Sequence, residues 1–190
     1  MNKGYEIHSE RQIEKIGNTI IFLINTVSHL SKTKLLKLLY ILDEESIKES
    51  GRPFFNLKYK VWQLGPVNTD LFYEFSTDIT ILSKFISREI KNGRKHFEAK
   101  REFCDDTFSD DDIELLEKVA RAFKDKTTEE IVEYTHQQGG LWNRVAKQNG
   151  ILDELESKKI QTSDFEIDFT VLIKDNKRKE RAFQQYQLLF

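Results

Sequence analysis

The strongest constraint on what this chain can fold into is the run KLLKLLYILDEESIKESGRPFFNLKYKVWQLGPV, residues 34–67. Leu35, Leu36, Leu38, Leu39, Tyr40, Ile41 and Leu42 leave almost no polar face. A helix that is apolar nearly all round is one that other helices pack against. A strand is the rival reading, but the residues are mostly leucine and Ile47 keeps the helical phase through the charged turn that follows. Gly51 then offers a left-handed stop and Pro53 keeps the helix from resuming, which predicts a helix over 34–50. Leu57 to Leu64 alternates and is rich in aromatics, so it reads as extended, and Gly65-Pro66-Val67 is where the chain is expected to turn. Gly51, Pro53, Gly65 and Pro66 are therefore assigned structural roles.

The pattern K-L-L-Y-I-L-D-x-x-S-x-x-x-x-G-R-P followed by Y-x-V-W-Q-L-G-P-V resembles the Panacea domain of the SocA-like antitoxins. The later stretch His136-Gln137-Gln138-Gly139-Gly140-Leu141-Trp142 is similar to that family's second motif. The two frame residues from about 34 to 143. The resemblance implies a protein that binds and silences a toxin and belongs to a family not known for catalysis. Some relatives instead present a toxin to a protease as adaptors, and many carry an added DNA-binding segment, which this chain does not show.

With 190 residues the chain suffices for one well-buried domain, and it is read as a single domain over 1–190. Its 14 Phe, 6 Tyr and 2 Trp are too many for a disordered tail. A formal charge of -2 lacks the basic excess of a dedicated nucleic-acid binder. The lone Cys104 excludes an intramolecular disulfide and suits a reducing compartment. The first residues lack the apolar core of a signal peptide, and Ile20 to Ile24 is too short to span a membrane. A cytoplasmic location is the expectation.

In chain order, residues 1–8 read as a loose lead-in. Ser9 and Gln12 stand at capping-box spacing before an amphipathic stripe of Ile13, Ile16, Ile20, Leu23, Ile24, Val27 and Leu30. Ser31 or Thr33 caps the central helix. A short helix is expected from Pro66 through Phe75, while 79–85 stays ambiguous. Asn92-Gly93 between two partly alternating runs predicts a hairpin, made basic by Arg88, Lys91, Arg94, Lys95, Lys100 and Arg101. Ser109 with three aspartates, and Thr127 with Glu130, open two further helices. A short helix is expected from Leu141 towards Gly150. Residues 151–168 read as loop with one short element, and 165–190 as a terminal helix or two. The fold class is mainly α: a compact helical domain around a buried central helix, with a small β-hairpin or sheet.

No catalytic or metal-binding pattern emerges. His8, His29, His96 and His136 stand at no ligand spacing, and Cys104 has no sequence neighbour to work with. The aspartates before and within the 110–112 run are explained by a solvated helix start. There is neither a nucleophile elbow nor a phosphate-cradling glycine loop. No catalytic residue, metal or cofactor is assigned. Trp62 and Trp142 serve either as core or, with Tyr59 and Phe72, as the lining of a partner groove. The partner-binding candidates are Tyr59, Trp62, Gln63, Phe72, His136 and Trp142. The leading reading is an interaction protein that neutralises a toxin encoded beside it by direct binding; self-association stays open. The alternatives are a nucleic-acid-associated protein using the basic hairpin and a protease adaptor.

Overall fold

The structure, a computed structural model, describes residues 9–91 and 94–188. The lead-in over 1–8, the Asn92-Gly93 turn and Leu189-Phe190 lie outside the described residues, as do the side chains of Lys91, Arg94 and Lys95.

Eight α-helices and two small antiparallel sheets make up the described residues. Helix α1 (Glu10–Thr26) starts at Ser9, whose hydroxyl accepts from the Gln12 N–H. Helix α2 (Lys32–Ser50) starts at Ser31 and ends where Gly51 adopts φ 81° and donates its N–H to the Ile47 carbonyl. The expected central helix is thus present, and its burial is nearly continuous from Lys34 to Glu44. Helices α4 (Asp110–Phe123), α5 (Thr128–His136) and α8 (Lys177–Gln187) pack on it, as does a 3-10 turn at Phe169–Leu172. Capping boxes at Ser109/Asp112 and Thr127/Glu130 start α4 and α5.

Buried charge on α2 steers the chain that follows. The Asp43 carboxylate accepts from the backbone N–H groups of Phe55 (2.6 Å), Asn56 (3.2 Å) and Leu57 (3.4 Å), and from the Tyr59 hydroxyl (2.8 Å). An irregular loop is thereby tied to the helix it has just left, and its orphan donors are satisfied.

Strand β1 (Lys60–Trp62) then pairs with β2 (Gly65–Val67), Lys60 opposite Val67 and Trp62 opposite Gly65. This corrects the expected turn at Gly65-Pro66-Val67. The reversal falls on Gln63-Leu64, and Gly65 and Pro66 belong to the returning strand. Pro66 is tolerated there because the Val61 N–H opposite it donates away, to the Phe165 carbonyl (2.9 Å). The helix expected from Pro66 starts later: Asn68 caps α3 (Thr69–Glu74) by accepting from the Leu71 N–H.

The other edge of β1 is covered by residues 161–167, expected to be loop. The Gln63 N–H donates to the Gln161 carbonyl (2.9 Å), and the Ile167 N–H donates to the Tyr59 carbonyl (2.8 Å). Strands β3 (Ile86–Lys91) and β4 (Arg94–Ala99) form the expected hairpin, which packs on α1 and, through Phe97, on Phe75. Helices α6 (Leu141–Gln148) and α7 (Leu152–Glu156) lead to the covering segment. Among the described residues no helix is long and apolar enough to cross a membrane.

Candidate functional site: a groove beside the central helix

The two motifs of the sequence meet at Gly65. Its φ is 97°, a conformation that a side chain resists. A Cβ placed there would come within 2.7 Å of Thr135 Oγ1, 2.9 Å of Lys37 Cε and 3.2 Å of His136 Nε2. The absence of a side chain at this residue lets α2, β2 and the end of α5 close on one another. Trp142, at the start of α6, lies flat on His136, with ring centroids 3.7 Å apart and planes 9° from parallel. Its indole N–H donates to the Trp62 carbonyl at 2.8 Å, so the late motif is hydrogen-bonded directly to the early one.

Two ionisable groups are held in this contact with no counter-charge among the described residues. Lys37 donates to the Pro66 carbonyl at 2.7 Å, and burial pushes its ammonium down to about 7. His136 Nε2 is buried and, among the described residues, has no hydrogen-bond partner. Burial, and then the neighbouring Lys37 charge, pull the imidazole down to about 4, so it is neutral at pH 7.

Above this contact opens a groove of about 180 Å³. Leu36, Trp62, Val67 and Phe72 give it apolar walls, Lys37 its floor, and Gln63 and Gln161 a polar edge. Trp62 is held by its indole N–H, which donates to the Ser163 carbonyl at 3.2 Å, and by an edge-on contact with Phe72 at 4.8 Å. Lys32 Nζ lies 4.0 Å from the centre of the Phe72 ring and donates to the Ser76 hydroxyl. Leu64, at the tip of the β1–β2 turn, is 51% exposed beside the groove.

Of the residues singled out in the sequence, Trp62, Gln63 and Phe72 come together on the groove. His136 and Trp142 sit beneath it, in the contact that supports Gly65. Tyr59 stands apart: it is buried, and its hydroxyl donates to Asp43 at 2.8 Å with the Leu39 carbonyl as a longer second acceptor at 3.2 Å, so in this fold it has no surface to offer. Sequence reasoning placed Leu36 in the buried helix and gave Lys37 no role, and so assigned neither to the groove. The signal for Lys37 was a lone lysine inside an otherwise apolar helical run.

Three cations of the basic hairpin bond to the protein itself. Arg88 donates to the Phe75 carbonyl, Lys100 to the Ser83 carbonyl, and Arg101 pairs with Glu14 at 2.7 Å. Among the described residues no group of three or more His, Cys, Asp or Glu side chains converges in a way that would hold a metal ion.

A family model described as "Antitoxin SocA-like, Panacea domain" matches residues 35–143. That span covers more than half of the chain and contains both motifs. The chain belongs to this family. No curated protein and no solved structure matches it. As a SocA-like Panacea protein it has an antitoxin-type role, and the family implies a toxin as partner in general. The matched span supplies all but the first turn of α2, the β1–β2 turn and the start of α6, and it ends before the 161–167 segment that completes the groove edge.

Proposed function

We propose that this protein is a single-domain cytoplasmic antitoxin that neutralises the toxin encoded next to it by binding it directly, without catalysis. One observation carries the reading. The two motifs inside the matched span converge on Gly65 and are hydrogen-bonded to each other beside a groove lined by Trp62 and Phe72. Aromatic side chains fixed by packing and hydrogen bonds bury large area on binding and lose little entropy in doing so. The hairpin arginines Arg88 and Arg101 are already engaged by the Phe75 carbonyl and by Glu14, which gives the nucleic-acid reading no comparable support.

The test is co-expression with the neighbouring gene's product, followed by size-exclusion chromatography. Growth should be restored and the two chains should co-elute. Neutralisation by mass action asks for a dissociation constant of roughly nanomolar order. Rescue with falling toxin levels and no co-elution would replace this reading with the protease-adaptor one. No restoration of growth when this chain is co-expressed with either neighbouring gene's product would overturn it.

A further inference from the structure

The floor of the groove carries an amine that, among the described residues, meets no carboxylate. Lys37 is 1% exposed, and among the described residues its ammonium has one hydrogen-bond acceptor, the Pro66 carbonyl. A protonated lysine offers three donors. The neighbouring imidazole of His136 supplies no negative charge. A buried ammonium with no counter-ion is costly, and a carboxylate is the group that offsets that cost.

The surroundings favour such a group. The groove lining contains two lysines and no acidic residue, although the chain as a whole is slightly acidic. Its walls are apolar, and its volume of about 180 Å³ is that of side chains rather than of a folded element. A nucleic-acid backbone asks for a row of exposed cations, whereas here one cation is sunk at the base of an apolar slot.

We propose that this groove docks an extended acidic–apolar segment of the partner protein, one carboxylate reaching Lys37 while a neighbouring apolar side chain packs on Trp62 and Phe72. This rests on the direct-binding reading above and supplies the surface and the partner chemistry for it. Because the walls exclude water around Lys37, the carboxylate selects its binding segment instead of merely attracting it. Gln63 and Gln161 at the edge are placed to meet the backbone amides of the incoming chain.

The experiment selects binders to the purified full chain from a library of random heptapeptides, N-acetylated and C-amidated so that any carboxylate is a side chain. Enriched sequences should share an aspartate or glutamate beside a large apolar residue. The best binder, resynthesised with glutamine or asparagine at its acidic position, should bind about tenfold more weakly or worse. Excess glutarate should fail to displace it. No enrichment, a consensus without an acid, or equal binding of the amide version would overturn the proposal. Displacement by glutarate at concentrations comparable to the peptide's would also overturn it, in favour of a free small carboxylate. The variant Lys37→Met, checked for folding by circular dichroism, should lose the preference for the acid; keeping it would count against the proposal. The wild-type comparison of acid and amide peptides stands even if that variant does not fold. An acidic consensus without growth rescue would leave the groove chemistry standing and the antitoxin reading refuted. Rescue with co-elution but no acidic consensus would do the reverse.

Discussion

Replacing Lys37 by methionine should make the protein more stable while removing the charge that we assign to partner recognition. Methionine has nearly the reach of lysine and suits the apolar surroundings of Leu36 and Val67. Moving a lysine from 10.5 to about 7 corresponds to roughly 5 kcal/mol, and at pH 7 most of that burden is present. Against it stands the hydrogen bond to Pro66, whose carbonyl would be left without its donor at a cost of about 1–3 kcal/mol. A net gain of about 2 kcal/mol at pH 7 follows, equivalent to roughly 4–8 °C in a chain of this size. The pH dependence is the sharper signature. Between about pH 7 and 10.5 the unfolded chain holds a proton on Lys37 that the folded chain has lost, so wild-type stability rises with pH across that window. Lys15 and Lys34, also lowered by burial, add to the same slope, so the quantity to read is wild type minus variant. Urea unfolding at pH 6, 7, 8.5 and 10 should show the variant's advantage largest at pH 6 and shrinking by pH 10. A variant less stable than wild type at pH 6, or an advantage that does not change with pH, would refute the claim that Lys37 is an unmatched buried charge.

Three further outcomes follow from neighbouring residues. Gly65→Val places a β-branched residue at φ 97° with its Cβ against Thr135 and Lys37, and should cost about 3–5 kcal/mol of stability; an unchanged melting temperature would show that the strand relaxes freely. Asp43→Ala strands three backbone N–H groups and the Tyr59 hydroxyl, and should also cost about 3–5 kcal/mol by urea unfolding, with less than 1 kcal/mol refuting the anchor role. His136→Phe keeps the stack on Trp142 and removes a group whose folded pKa, about 4, lies below its ordinary 6.5. Wild type loses stability as pH falls from 6.5 to 4 on this account, and the variant should be spared about 2 kcal/mol of that loss. Asp43, raised to about 6 by burial, acts with the opposite sign between its ordinary 3.8 and 6, where stability falls as pH rises, so the difference between wild type and each variant must be followed separately.

Much of the architecture was legible because local rules agreed with the fold. The leucine run, the glycine stop at Gly51, the two capping boxes and the β3–β4 hairpin are decided within a few residues of themselves, and the structure has them where the sequence places them. What was not legible depends on residues far apart. The polar stretch 161–167 has no strand pattern of its own, and β1, a hundred residues away, makes it extended. Gly65-Pro66 looks like a turn until Val61 is seen donating to the opposite side. Lys37 and Asp43 read as polar punctuation of a helix, yet both are buried, because the residues enclosing them arrive from β2 and from the 54–59 loop. Tyr59 looked like a groove aromatic for the same reason: its partner, Asp43, lies on another element.

The covering of β1 by residues 161–167 bears on how this family member is best trimmed for study. A fragment cut at the end of the matched span, near residue 143, would keep both motifs and lose that cover. The N–H groups of Val61 and Gln63 and the Tyr59 carbonyl would then line a bare strand edge, next to the exposed Leu64. Such an edge templates pairing with other chains. Two fragments would meet there edge to edge, or one would accept an unrelated strand, and binding measured on that fragment would report the missing cover instead of the groove. Expression of the full chain retains the 161–167 cover, so that what binds beside Trp62 binds to the groove itself.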